Sequence, residues 1–267
     1  MHLKWKAKKV DERDSQEEVD RGRTRGLVLA LPIALVLLQM PGAPLDHDGR
    51  QDRLGALEGV VRLSGYVQVL STRVVNTTDP DVCGPQHSLE DFVVSEDRGI
   101  QYVTVALLDV PAEARGAIRS RTRLEVDNRN CRFVPHVAVV AVGDTIVAKN
   151  SDPVLHTTHY YGPLHSNVAL PRPDMSVSRV VRKPGIIAVL CDVHGWMKAF
   201  IRVDDHDFHD VTDETGSFAV RDIPPGSYTA EFWHEKLGTQ RIEIEIVSGE
   251  TTRVEVVYSL ADSDIEH

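Results

Sequence analysis

Three residues in one short stretch carry side chains that bind soft metal ions. Cys191 offers a thiolate sulfur, His194 an imidazole nitrogen and Met197 a thioether sulfur, each three residues from the next. A thiolate, two imidazoles and a weak axial thioether form the ligand set of electron-transfer copper sites. The stretch lacks one imidazole, and His156 is the best candidate for it. The sequence therefore predicts one copper ion bound by these four residues.

Other chemistries suit the same residues less well. Structural zinc sites usually need more thiolates than this neighbourhood offers. A cysteine–histidine nucleophile pair normally comes from residues distant in sequence and needs an oxyanion hole, for which no candidate is evident. Met197 has the alternative of being a core residue at the start of a strand. A metal with four protein ligands leaves no open position for a substrate, so we expect no enzymatic activity.

The stretch that begins at Cys191 needs rigid elements on both sides. Residues 186–190 form a continuous apolar run, which predicts a buried strand leading to Cys191. Residues 198–203 predict a second strand that leaves the loop. A loop held by sheet at both ends can keep metal ligands in fixed positions.

The segment before His156 has a mixed pattern. Residues 137–142 and 145–149 are separated by Gly143 and Asp144, which is the signature of a hairpin. Residues 151–175 contain four prolines, and we expect them to be mostly irregular.

The ligand stretch resembles a known family. Cys191-x2-His194-x2-Met197 followed by a strand resembles the ligand loop of amicyanin and is similar to that of plastocyanins. The upstream residues Gly143, Asp144, Thr145, Ile146, Asn150 and His156 resemble the segment that carries the first histidine in these cupredoxins. The resemblance covers about residues 132–204. It implies a Greek-key β-barrel that binds one type 1 copper ion through His156, Cys191, His194 and Met197.

Two positions depart from the family pattern. These cupredoxins usually have asparagine after the first histidine, where it bridges the two ligand segments, and this chain has Thr157. Gly195 stands where amicyanin has proline, which predicts a softer loop.

Around the ligands we expect contributions from Thr157, from Asn150 and from Trp196. Trp196 is expected to shield the metal or to present an apolar docking patch.

The C-terminal part has a second pattern of short strands and turns. Residues 211–228 resemble the carboxypeptidase regulatory-like domain, which has a transthyretin-like sandwich and also resembles carbohydrate-binding folds. We therefore predict an all-β chain. Residues 56–204 would form a Greek-key cupredoxin barrel or sandwich with extra N-terminal strands, and residues 205–260 a C-terminal transthyretin-like β-sandwich.

The N-terminus and the cysteines indicate export. Residues 1–45 combine a charged leader with an apolar run at 27–38 that is short for a membrane span. This predicts a signal peptide, with an uncleaved anchor or a buried helix as alternatives. Cys83 and Cys131 form an even pair once Cys191 is assigned to the metal. In an exported chain they predict one disulfide, the alternative being two buried thiols.

Charge and site together suggest three functions. A net charge of -10 argues against nucleic-acid binding and would suit a basic partner. The leading expectation is a periplasmic or extracellular one-electron carrier whose partner is a redox protein, such as a basic cytochrome or a dehydrogenase. Membrane contact is expected only through an uncleaved N-terminal segment. The alternatives are a copper storage or delivery module, and an envelope adhesion or carbohydrate-binding protein with a vestigial copper site.

Overall fold

A computed structural model describes residues 53–65, 72–115 and 121–259. The predicted leader and signal peptide lie outside the described residues. Short strands predominate: β1 (Gly55–Ser64), β2 (Arg73–Val75), β3 (Gln86–Ser88), β4 (Thr104–Leu108), β5 (Arg123–Arg129), β6 (Arg132–Val134), β7 (Val137–Ala141), β8 (Thr145–Asn150), β9 (His156–Tyr161), β10 (Ser166–Leu170), β11 (Ser176–Val180), β12 (Gly185–Leu190), β13 (Lys198–Asp204), β14 (His209–Val211), β15 (Ser217–Ile223), β16 (Gly226–His234), β17 (Gly238–Ile246) and β18 (Thr251–Ser259). Two single-turn helices, α1 (Pro80–Cys83) and α2 (Ala112–Arg115), complete the described elements.

The first sandwich contains the ligand stretch. Its five-stranded sheet has the order β10-β9-β12-β13-β7, and its four-stranded sheet has the order β11-β8-β5-β6. Tyr160, Ile187 and Ile201 from the first sheet share one core with Phe133 and Ile146 from the second, and all five are at most 1% exposed. Burying this apolar surface is the main force that holds the two sheets together.

The second sandwich is built from two further sheets, with the orders β15-β1-β18 and β14-β4-β16-β17. Leu57 and Phe218 from one sheet pack in a common core with Val105 and Phe232 from the other. The rings of Phe218 and Phe232 meet edge to face, with centroids 5.5 Å apart. The prediction of an all-β chain is confirmed. In the described part of the chain, neither helix has the length and apolar character that crossing a membrane requires.

Two early strands join the second sandwich. β1 runs parallel to β18 and antiparallel to β15, and β4 pairs with β14 and β16. We expected these strands to extend the copper-binding part. A Cβ at Gly59 would lie 2.3 Å from the Val254 carbonyl oxygen, so a glycine permits the close approach of β1 and β18. The boundaries 56–204 and 205–260 stay a prediction, although strand pairing crosses them.

Residues 151–175 are more regular than predicted. β9 and β10 form an antiparallel pair, with His156 opposite Leu170 and Thr158 opposite Val168. Alternate residues of β9 are buried, and the four prolines lie outside the two strands. The period of two along the strand outweighs the turn-forming residues around it.

The hairpin predicted for residues 137–149 is wrong. β7 pairs with β13 in the five-stranded sheet, whereas β8 pairs with β5 and β11 in the other sheet. The turn itself is present, with Gly143 at φ 96° and a 3.0 Å hydrogen bond from the Asp144 N–H to the Ala141 carbonyl. It carries the chain from one sheet to the other. Both strands are largely apolar, so each can be buried by a different neighbour.

Candidate metal centre

Two segments of the first sandwich supply the proposed ligands. His156 is the first residue of β9, and Cys191 directly follows β12. His194 and Met197 lie in the loop 191–197 that joins β12 to β13. The Met197 N–H donates to the His194 carbonyl at 2.9 Å, and the Cys191 N–H donates to the Met197 carbonyl at 3.3 Å. These bonds close the loop, so that Cys191 and His194 turn toward the same point.

Three donor atoms converge in the interior. Cys191 Sγ lies 3.8 Å from His194 Nδ1 and 4.0 Å from His156 Nδ1. The three side chains are buried, and their donor atoms all lie within 4.8 Å of one another. A metal ion in a trigonal plane, about 2.3 Å from sulfur and about 2.0 Å from nitrogen, requires sulfur–nitrogen separations of about 3.8 Å. The donor set therefore fits a metal ion without large side-chain movement.

Met197 lies beside this group. Its side chain is 2% exposed and belongs to the same hydrophobic cluster as Cys191. Its main chain faces that of Cys191 across the closed loop. This placement suits a weak axial thioether and suits a core residue equally, so its role as a ligand stays a prediction.

Two carboxylates orient the imidazoles. His156 Nε2 lies 2.9 Å from Asp152 Oδ2, and His194 Nε2 lies 3.1 Å from Asp79 Oδ2. A carboxylate accepts hydrogen bonds, so each Nε2 carries the proton and each Nδ1 lone pair faces Cys191. Burial lowers the pKa of His156, although the hydrogen bond to Asp152 opposes the shift. Neutral imidazole is the form that binds a metal.

Backbone donors surround the sulfur. The main-chain N–H groups of Thr157 and His194 each donate to Cys191 Sγ at 3.4 Å. The Thr157 hydroxyl accepts from the Asp192 N–H at 2.7 Å. Thr157 thus bridges the two ligand segments. This is the role expected of the asparagine that follows the first histidine in the cupredoxins that the sequence resembles. Donors aimed at a thiolate stabilise its negative charge.

Asn150 holds the turn before His156 in place. Its buried side-chain amide donates to the carbonyls of Val154 at 2.9 Å and Leu170 at 2.8 Å, and its oxygen accepts from the Asp152 N–H at 2.9 Å. The three bonds fix the start of β9 relative to the neighbouring strand. Asn150 therefore positions Asp152, and through it the His156 ring.

A disulfide covers the outer side of the site. Cys83 and Cys131 are linked, as the sequence predicts, with an S–S distance of 1.97 Å. Cys83 Sγ lies 3.7 Å from His194 Nε2. Cys131, Asp152 and His156 form a second close group of donors, but the Cys131 sulfur is engaged in the disulfide.

Trp196 connects the site to its surroundings. Its ring lies edge-on to His194, with centroids 5.1 Å apart, and is stacked on His87, with centroids 4.6 Å apart. Its indole N–H donates to the Cys131 carbonyl at 3.0 Å.

The sequence did not indicate that Asp79 or His87 lies beside the proposed ligands. Both come from the segment 76–90, which lies far from the ligands along the chain. Asp152 stands four residues before His156, and this short spacing could have indicated that the carboxylate lies beside the imidazole.

The chain matches no known protein-family model and no curated protein. Among solved structures, it is similar to amicyanin from Paracoccus versutus, at 17% identity over 43% of this chain and 98% of amicyanin, with a TM-score of 0.28. A purple cupredoxin from Nitrosopumilus maritimus matches at 19% identity over 31% of this chain and 99% of that protein, with a TM-score of 0.27. A copper-containing nitrite reductase from Thermus scotoductus matches at 22% identity over 35% of this chain, with a TM-score of 0.28, and the match spans only 24% of the reductase. The described residues form an all-β fold with two sandwiches.

Proposed function

We propose that this protein is an exported type 1 copper protein that carries single electrons between redox partners. The convergence of one thiolate and two imidazole Nδ1 atoms at 3.8–4.0 Å in a buried pocket carries this proposal. His156, Cys191 and His194 would hold the ion, with Met197 as the weak axial contact. Bound there, copper supplies a reversible one-electron couple.

The surroundings of the donors favour electron transfer over copper delivery. His156 and His194 are 0% exposed, and Cys191 is 3% exposed. Each imidazole is also fixed at its outer nitrogen by a carboxylate. Delivery to another protein requires ligands that a recipient can reach, whereas electron transfer benefits from a site that changes little between oxidation states. Both the burial and the hydrogen bonds fit the second requirement.

Enzymatic activity is not part of the proposal. With four protein ligands, the proposed copper ion would have no open position for a substrate. We further propose a periplasmic or extracellular location and a basic redox protein, such as a cytochrome or a dehydrogenase, as partner. The net charge of -10 supports a basic partner.

The second sandwich contains the segment that resembles a carboxypeptidase regulatory-like domain. We propose this relationship from the turns in residues 211–228, which connect β14, β15 and β16. Carbohydrate binding at this sandwich is the alternative function. Glycan binding that persists after Cys191→Ser would support it.

Optical absorption of the Cu(II)-loaded protein tests the proposal. We expect an intense blue band from thiolate-to-copper charge transfer and a reversible one-electron wave in voltammetry. Cys191→Ser and His156→Gln should abolish the band. His159→Gln is the matched control, because His159 lies on the same strand but outside the donor group, and it should keep the band. A colourless wild-type protein with verified Cu(II) bound contradicts the type 1 assignment.

A further inference from the structure

None of the proposed ligands reaches the protein surface. Cys191 is 3% exposed, Met197 is 2% exposed, and both histidines are 0% exposed. A partner protein therefore cannot contact a ligand directly. If the site exchanges electrons, another residue must connect it to the surface.

The outer edges of the imidazoles are also closed. Asp79 and the Cys83 sulfur lie against His194 Nε2, at 3.1 and 3.7 Å. Asp152 lies against His156 Nε2 and is itself buried. These groups cover the outer nitrogen of each histidine, although the Asp79 side chain is itself 41% exposed.

Trp196 contacts a proposed ligand and reaches solvent. Its ring meets the His194 ring edge-on at a centroid distance of 5.1 Å, and its side chain is half-buried. It lines a cavity of about 370 Å³ together with Val75, which is 74% exposed. The hydrogen bond to the Cys131 carbonyl and the stacking on His87 keep the ring in this orientation.

A second connection to the surface runs through the backbone. The Asp192 carboxylate lies 3.0 Å from His159 Nδ1, and the Tyr161 hydroxyl lies 2.9 Å from that same nitrogen. Tyr161 is 39% exposed. Asp192 directly follows Cys191 and its side chain is 44% exposed, so this route leaves the site through the backbone and a carboxylate. Trp196 differs from this route because it places an aromatic ring in direct contact with a proposed ligand.

We propose that Trp196 is the conduit through which electrons pass between His194 and the redox partner. This inference rests on the proposed electron-carrier function. One electron leaves a reduced partner, which is thereby oxidised, and reaches the oxidised site through the indole ring. No covalent bond is made or broken, and Trp196 is not itself consumed.

The rate of reduction by hexaammineruthenium(II) in a stopped-flow experiment tests the conduit. Trp196→Leu should slow the reduction severalfold, and Trp196→Phe, which keeps an aromatic ring, should restore part of the rate. Tyr161→Leu is the matched control on the competing route and should react at the wild-type rate. The blue band and the reduction potential should stay unchanged in all three variants.

Three results would overturn the proposal. Wild-type rates in Trp196→Leu would show that the ring is not needed. A slow Tyr161→Leu variant would assign the route to the other side of the site. A shifted band or potential in Trp196→Leu would show that Trp196 positions the ligands and does not act only as an electron conduit. Failure of the proposed function looks different, because the wild-type protein would then show neither the blue band nor a reversible wave.

Tryptophan fluorescence gives a readout that does not depend on a partner. Trp196 and Trp233 are the tryptophans in the described part of the chain, and Trp233 packs against Phe200 rather than against a proposed ligand. Copper loading should quench the emission of Trp196. Trp196→Phe should lose most of the copper-dependent quenching, while Trp233→Phe should keep it. Unchanged quenching in Trp196→Phe would contradict the close coupling of the ring to the site.

Discussion

Asp152→Asn tests whether a buried carboxylate orients the first histidine. In the structure, Asp152 Oδ1 accepts from the Asn130 N–H at 2.8 Å. Oδ2 accepts from the Cys131 N–H at 2.8 Å and from His156 Nε2 at 2.9 Å. Asparagine has the same shape but only one oxygen. In either amide orientation, its NH2 group faces at least one N–H donor, so at least one of the three bonds is lost.

The size of the effect follows from these bonds. A buried donor left without an acceptor costs about 1–3 kcal/mol, so the metal-free variant should unfold more easily by about that amount. Loss of a carboxylate behind a ligating histidine typically costs about 10–100-fold in metal affinity. That range corresponds to about 1.4–2.8 kcal/mol of binding free energy. The donor atoms of Cys191 and His194 are untouched, so binding should weaken without being abolished.

Two measurements separate orientation from simple destabilisation. Urea unfolding of the metal-free protein gives the loss of stability, and competition with a Cu(I) chelator gives the affinity of the folded protein. Asp79→Asn is the matched control. The Asp79 side chain is 41% exposed and that of Asp152 only 8%, so water screens the charge of Asp79 and can replace its hydrogen bond, and the affinity should fall less. Wild-type affinity in Asp152→Asn would refute the orienting role, even if the variant were less stable.

Three further predictions concern the axial position, the disulfide and pH. Met197→Leu should keep the blue colour and raise the reduction potential, because an apolar side chain removes the electron donation that favours Cu(II); an unchanged potential in protein-film voltammetry would remove Met197 from the ligand set. Replacing Cys83 and Cys131 together by alanine should lower the free energy of unfolding by about 4 kcal/mol, as loop closure over a separation of 48 residues implies, and a loss below about 1 kcal/mol in chemical denaturation would argue against this. Burial lowers the pKa of His234 to about 4 from its ordinary value of 6.5, so the unfolded chain binds a proton at this position before the folded protein does. Above pH 6.5, His234 therefore does not reduce the free energy of unfolding, and its protonation in the unfolded chain should lower that free energy by about 3 kcal/mol as the pH drops to about 4. His234→Gln should remove most of this fall, which urea titrations at pH 7 and pH 4.5 measure.

Local patterns explain which parts of the site could be predicted. Cys191, His194 and Met197 lie on one loop, so their spacing alone indicates a common site. The disulfide follows from counting cysteines together with the expectation of export. Alternation of apolar residues along short segments was enough to predict an all-β chain. All of these signals come from residues close together in sequence or from composition.

The missed features depend on contacts between distant segments. Asp79 is separated from His194 by 115 residues, and no local pattern relates the two. The predicted hairpin at residues 137–149 failed because a turn signal does not specify whether the flanking strands pair with each other or enter different sheets. The strands in residues 151–175 were not predicted because the four prolines favour turns, and the alternation in β9 is too short to outweigh them in sequence.

The parallel pairing of β1 with β18 has a consequence for synthesis. The second sandwich closes around strands from both ends of the described chain, so it must wait until residues 251–259 have left the ribosome. The residues of the first sandwich are complete by residue 204 and can collapse earlier, because they need no later strand. A chain shortened before β18 would leave the edge of β1 without its partner and open to other strands. We expect such fragments to aggregate, even though every proposed copper ligand is present in them.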